Sequence, residues 1–128
     1  MKVKFAVCEV CGNVVMKIED SGVPVVCCGQ PMKELVPNTV DAAFEKHLPV
    51  VKVSNRQVMV SVGSVEHPMT EGHWINTIIL ETNQGIKVNK LQYTDKPVAI
   101  FSLNEDEKAI AAYEYCNLHG FWKTEIDA

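Results

Sequence analysis

The stretch Gln57-Val58-Met59-Val60-Ser61-Val62 sets the rhythm of most of the chain. Its three valines alternate with Gln57, Met59 and Ser61, so one face is apolar and the other mixed. A period of two marks a half-buried β-strand, because successive side chains leave the backbone on opposite sides. The β-branched valines suit that pleated surface. The same rhythm runs outward in both directions. Val51 and Val53 flank Lys52 upstream. Downstream, Trp74, Ile78 and Leu80 read as one face of a strand, and His73, Ile75, Thr77 and Ile79 as the other. Asn83-Gln84-Gly85 is a turn, after which Ile86 and Val88 alternate with Lys87 and Asn89. Val98 to Phe101 and Ala109 to Tyr115 add further strands, and no long amphipathic helix is visible. Six or seven short strands joined by polar turns predict an immunoglobulin-like antiparallel β-sandwich over residues 38–128. Trp74, Trp122, Tyr113 and Tyr115 read as aromatics of its core and rim.

Residues 1–37 read differently. Cys8-Glu9-Val10-Cys11-Gly12 is a knuckle in which two thiols, two residues apart, can face one ion. Cys27-Cys28-Gly29 follows after fifteen intervening residues. Between them Val14 to Ile18 reads as a strand and Glu19 to Gly22 as a turn. The apolar residues are too few for a core of ordinary size, so a metal or disulfides must hold this unit together. Four thiolates suit a closed tetrahedral site, for which zinc and iron are equally acceptable on spacing alone. The vicinal pair should distort that tetrahedron. Pairing Cys8 with Cys11 and Cys27 with Cys28 as disulfides is the alternative, and a reducing compartment argues against it. Pro37-Asn38-Thr39 marks the exit from the unit.

Bulk properties bound the function. At 128 residues, 47% hydrophobic and 22% charged, the chain is a folded globular protein, not a disordered one. A net charge of −4 without a run of Lys or Arg speaks against nucleic-acid binding and a polybasic membrane surface. No apolar run is long enough to cross a bilayer, and Met1 to Cys8 does not read as a signal peptide. The expected compartment is the cytoplasm.

Cys116-Asn117-Leu118-His119-Gly120 supplies the one cysteine outside the first unit, with an imidazole three residues later. Both side chains of a Cys-x-x-His turn can hold one metal, but the pair cannot complete a site alone. The other three histidines are His47, in Glu45-Lys46-His47-Leu48-Pro49, and His67 and His73, around a loop in Glu66 to Trp74. Pro49 disfavours helix at Leu48, which places Glu45, Lys46 and His47 in a loop.

Taken together these motifs resemble the desulfoferrodoxins, the two-iron class of superoxide reductase, over essentially the whole chain. Cys8, Cys11, Cys27 and Cys28 match that family's desulforedoxin-like, rubredoxin-type iron knuckle of four cysteines. Glu45-Lys46-His47, His67-Pro68-Met69, His73 and Cys116-Asn117-x-His119-Gly120 match its catalytic iron site, so every cysteine and histidine is assigned. Trp74 stands where the family pattern would suggest tyrosine. The resemblance implies two iron ions per chain. The second would be held by His47, His67, His73 and His119 in a plane and by the Cys116 thiolate on the axis, leaving the sixth position open. With Fe(II) such a centre carries one net positive charge and attracts superoxide anion although the protein is acidic. The implied reaction is one-electron reduction of superoxide to hydrogen peroxide. Lys46 would steer the anion and stabilise bound peroxide, and Glu45 would fill the open position in the resting ferric state. A rubredoxin-like protein would restore Fe(II), the four-cysteine iron would be mainly structural, and the assembly would be a homodimer. A zinc ribbon fused to a partner-binding sandwich, or an electron-transfer protein without superoxide turnover, are readings that metal analysis and the visible spectrum separate from this one.

Overall fold

The computed structural model describes residues 4–126. The chain divides into two compact units between Val36 and Pro37.

In the first unit β1 (Lys4–Val7) pairs antiparallel with β2 (Val14–Lys17), and β5 (Lys33–Glu34) pairs with β1 on its other side. A small hairpin joins β3 (Val26–Cys27) to β4 (Gln30–Pro31). Only Phe5, Ala6 and Cys8 are buried among the described hydrophobic residues here, while Val10, Ile18, Val23 and Val26 are each more than half exposed. That is little apolar burial for a stable fold, and it leaves the cysteine cluster as the natural source of the missing stability.

The second unit is the antiparallel sandwich that the alternating valines predict. Its strands are β6 (Pro49–Ser54), β7 (Gln57–Val62), β8 (Ile75–Thr82), β9 (Gly85–Lys90), β10 (Val98–Ser102), β11 (Ala109–Cys116) and β12 (Gly120–Glu125). Sheet order is β10-β7-β6 in one layer and β12-β11-β8-β9 in the other. Val58, Val60 and Val62 of β7 point inward and meet Ile75, Ile78 and Leu80 of β8, with Ala99, Phe101, Ala112 and Cys116 completing the core. β12 is a strand that the sequence reading did not name. Gly120 adopts φ +80°, a conformation that L side chains rarely adopt, and so closes a tight β11–β12 hairpin.

Two local readings are corrected. Straight alternation would put Ile75 on the face opposite Ile78, yet both lie in the core. The register explains why: Tyr115 pairs with Thr77 but Cys116 pairs with Ile75, so Asn76 is an extra residue that reverses the alternation. Second, Glu45, Lys46 and His47 are not in a loop but in a single helical turn, α1 (Phe44–His47). The proline effect stops at Leu48, which is extended (φ −67°, ψ 125°) and closes the turn by donating its N–H to Phe44 O at 2.9 Å.

Candidate metal centres

The first centre gathers Cys8, Cys11, Cys27 and Cys28, whose sulfurs lie within 4.8 Å of one another. The knuckle is closed by Gly12 N–H donating to Cys8 O at 2.9 Å, and Cys11 N–H points at Cys8 Sγ from 3.5 Å. That N–H is the main reason the Cys8 thiol is pulled down to about 6. Cys11 Sγ and Cys27 Sγ stand 3.6 Å apart. Two sulfurs on one tetrahedral ion at ordinary metal–sulfur distance stand about 3.8 Å apart, so the spacing fits. The vicinal pair reaches one point because Cys28 (φ +52°) and Gly29 (φ +74°) are consecutive left-handed residues that reverse the chain. For Cys28 that conformation costs about 1–2 kcal/mol. The neighbouring sulfurs push the Cys28 thiol up to about 12, chiefly through its contact with Cys11. All five cysteines are free thiols, so neither candidate disulfide is formed.

The second centre assembles His47, His67, His73, Cys116 and His119, again with donor atoms within 4.8 Å. Four separate segments deliver them: α1 carries His47, the 63–74 loop carries His67 and His73, β11 ends on Cys116, and the β11–β12 turn carries His119. The imidazoles form a closed ring of neighbours. Ring centroids are 4.8 Å apart for His47–His67, 4.6 Å for His67–His73, 5.0 Å for His73–His119 and 4.8 Å for His119–His47. Each pair meets edge to face, at 76° to 87°. Cys116 Sγ lies 3.4 Å from His67 Nε2 and 4.0 Å from His119 Nδ1, and the cysteine is fully buried on the core side.

Hydrogen bonds settle which nitrogens face the centre. His47 Nδ1 and His67 Nδ1 each lie 2.7 Å from a backbone carbonyl, of Ala43 and Pro68, and so carry the proton. Both Nε2 atoms then present lone pairs, and they face each other at 3.2 Å. Burial also holds His67 neutral, with its pKa lowered to about 4, and lowers those of His47 and His73. Two opposed lone pairs repel unless a cation lies between them. Adjacent nitrogens on a metal about 2.1 Å away stand about 3.0 Å apart, close to the 3.2 Å here and the 3.1 Å between His47 Nε2 and His119 Nδ1. Among the described residues His73 Nε2 is buried without a hydrogen-bond partner, another orphan that a metal would satisfy. Four imidazoles and a thiolate suit iron, and the donor set fits it.

Glu45 and Lys46 stand beside the donors, not among them. Both are exposed on α1. Lys46 lies near enough for its charge to disfavour a proton on His73, while Glu45 acts in the opposite sense on His47. Two further residues shape the site: Trp122, which the sequence reading places in the core and rim but not at the site, and Gly63, which it does not name. Trp122 is fully buried; its ring stacks on His47 with centroids 4.9 Å apart at 25°, and its Nε1–H donates to His119 O at 3.0 Å. The turn glycine Gly120 followed by an aromatic pair was the available sign of a returning strand. Gly63 packs under α1, where a Cβ would stand 2.6 Å from Glu45 O and 3.0 Å from the Lys46 carbonyl carbon. Nothing in the local sequence pattern signals that approach. Glu114, one strand step before Cys116 on the same inward face, is fully buried without a partner among the described residues, and burial pushes its pKa well above the ordinary range.

Known proteins resemble this chain in sequence and fold. The desulfoferrodoxin N-terminal domain model matches residues 4–35 and the desulfoferrodoxin model residues 39–125. The desulfoferrodoxin of Syntrophotalea carbinolica is 45% identical over 124 residues, 97% of each chain. Among solved structures, the superoxide reductase of Treponema pallidum superposes with a TM-score of 0.84 at 38% identity, covering 98% of this chain and all of that one. The one-iron superoxide reductase of Giardia intestinalis gives 0.58 at 35% identity, covering 66% of this chain and 99% of that one. With both donor clusters assembled and both family models matched in order, the chain belongs to the desulfoferrodoxin family.

Proposed function

We propose that this chain reduces superoxide to hydrogen peroxide at the centre built by His47, His67, His73, His119 and Cys116. The observation that carries the reading is the pair of lone pairs on His47 and His67 opposed at 3.2 Å, within a ring of four imidazoles backed by a buried cysteine. Iron held by these residues would supply one electron to each superoxide, which takes up two protons from solvent to become hydrogen peroxide, and an external one-electron donor, a rubredoxin-like protein, would return the electron. The chain's own residues do the rest. Nδ1–H donation to Ala43 O and Pro68 O fixes the tautomers of His47 and His67. Lys46, exposed next to His47, attracts the anion and stabilises the product charge. Glu45 acts after electron transfer, helping the product to leave. Residues 38–128 form the catalytic domain. Residues 1–37 form a desulforedoxin-like domain whose four-cysteine iron is mainly structural; the Giardia protein named as one-iron matches only part of the chain, which supports that division. We further infer a cytoplasmic homodimer. No helix among the described residues is long and apolar enough to cross a membrane.

Metal analysis, the visible spectrum and pulse radiolysis test the reading together. Two irons per chain, a ferric thiolate charge-transfer band, and stoichiometric peroxide without dioxygen release are expected. Zinc in the second centre, or dioxygen among the products, would overturn it.

A further inference from the structure

The four imidazoles are not restrained alike. His47 and His67 are tethered through Nδ1 to backbone carbonyls, both at 2.7 Å. His119 belongs to the β11–β12 turn, and its carbonyl accepts the Trp122 indole N–H. No such bond to a ring nitrogen of His73 is seen among the described residues, and its Nε2 is an orphan. Its position must come from its backbone. Thr70 closes that loop upon itself, exchanging backbone hydrogen bonds with His73 at 2.9 and 3.1 Å. This does not tie the loop to the other ligands. Asn117 does. Its Nδ2–H donates to Gly72 O at 2.9 Å, its Oδ1 accepts Trp74 N–H at 2.9 Å, and its backbone N–H donates to Trp74 O at 3.3 Å. One side chain thus grips the residues on both sides of His73, from the position directly after Cys116.

We infer that Asn117 is the positioning residue for His73, setting the distance between that imidazole and the Cys116 thiolate. It does for His73 what the Ala43 and Pro68 carbonyls do for His47 and His67. A short chain segment with two side-chain hydrogen bonds has few ways to move, so a ligand carried between them stays aimed with or without the metal. The inference rests on the reading of this cluster as an iron centre.

The test compares iron-loaded full-length wild type, Asn117→Ala and Asn117→Asp. Release of iron to a strong chelator, followed by loss of the ferric thiolate absorption, should be about tenfold or more faster in Asn117→Ala. Backbone amide exchange should accelerate over residues 72–75 but not over residues 44–48, which carry His47. Asn117→Asp keeps an acceptor for Trp74 N–H and loses the donor to Gly72 O, so it should fall between the two. Unchanged release and exchange in Asn117→Ala overturns the inference, and so does equal acceleration in both segments, which would mean general loosening. If Asn117→Ala does not fold, the near-isosteric Asp variant decides by the same two readouts. Wild type that takes up no iron at this cluster would overturn the iron reading and this inference with it; loaded wild type beside an unaffected variant overturns this inference alone.

Discussion

Lys46 and Glu45 bring opposite charges to adjacent positions of one exposed helical turn, next to the buried His47. Their roles should separate in time. A cation beside a small site raises the encounter rate of an anion roughly tenfold or more, and salt screens the gain. Lys46→Ile should therefore slow the second-order reaction of the ferrous protein with superoxide and flatten its dependence on ionic strength. Glu45→Ala should leave that step nearly unchanged and alter only the later decay of the ferric product state. Pulse radiolysis over a range of salt reads both; an unaltered salt slope in Lys46→Ile would sink the assignment. Among the described residues Cys116 is the one cysteine of the second centre, and it is fully buried. Cys116→Ser replaces a soft donor by a harder one that gives less charge to iron. Loss of the charge-transfer band together with turnover is expected, even where iron is retained; absorption and activity assays on the same loaded sample check it.

At the scale of elements, the site depends on how α1 meets the end of β7. Glu45 O accepts Val65 N–H at 2.8 Å and the Ser64 hydroxyl at 3.2 Å, and Gly63 fills the space beneath. An added Cβ would meet backbone atoms, which cannot swing aside as a side-chain tip can. Gly63→Ala should cost about 1–3 kcal/mol and displace the turn that carries His47. A lowered Tm, with a changed ferric EPR spectrum at the second centre and an unchanged one at the first, is the expected pattern. The strands around this junction differ in how openly the chain announces them. β7 shows itself as clean alternation because one face meets core and the other does not. In β8 the same rule misplaced Ile75, since the extra Asn76 is defined only by its pairing with β11. β12 was passed over because Phe121 and Trp122 are both buried, which hides the period of two.

At the scale of the whole molecule, the donors fall cleanly into two sets. Four cysteines lie before the division at Val36 and Pro37, and the other five donors lie after it. The two centres should be separable. Cys8→Ser should remove the iron of the four-cysteine site and loosen the first unit, whose own core is only a few side chains. Superoxide reduction with an artificial donor should largely survive. Iron content, proteolytic susceptibility of the first unit and stopped-flow activity measure this; near-complete loss of activity with the second iron still bound would show the first centre to be essential.

The residue types of the chain determined the chemistry available to it. The cysteine spacings point to a metal knuckle in the first unit, the alternating valines to a sandwich in the second, and the resemblance to the desulfoferrodoxins joins the four histidines to Cys116. The alternation and the Cys8–Cys11, Cys27–Cys28 and Cys116–His119 spacings are local and so can be read along the chain. Only the tertiary structure decided the rest: the cyclic order of the four rings, the lone pairs of His47 and His67 opposed at 3.2 Å, Trp122 stacked on His47, Gly63 beneath α1, and Asn117 gripping both flanks of His73. Each joins residues from separate segments, and the pairing that joins them depends on strand register and close backbone approach. Neither has a signature in hydrophobic periodicity or motif spacing.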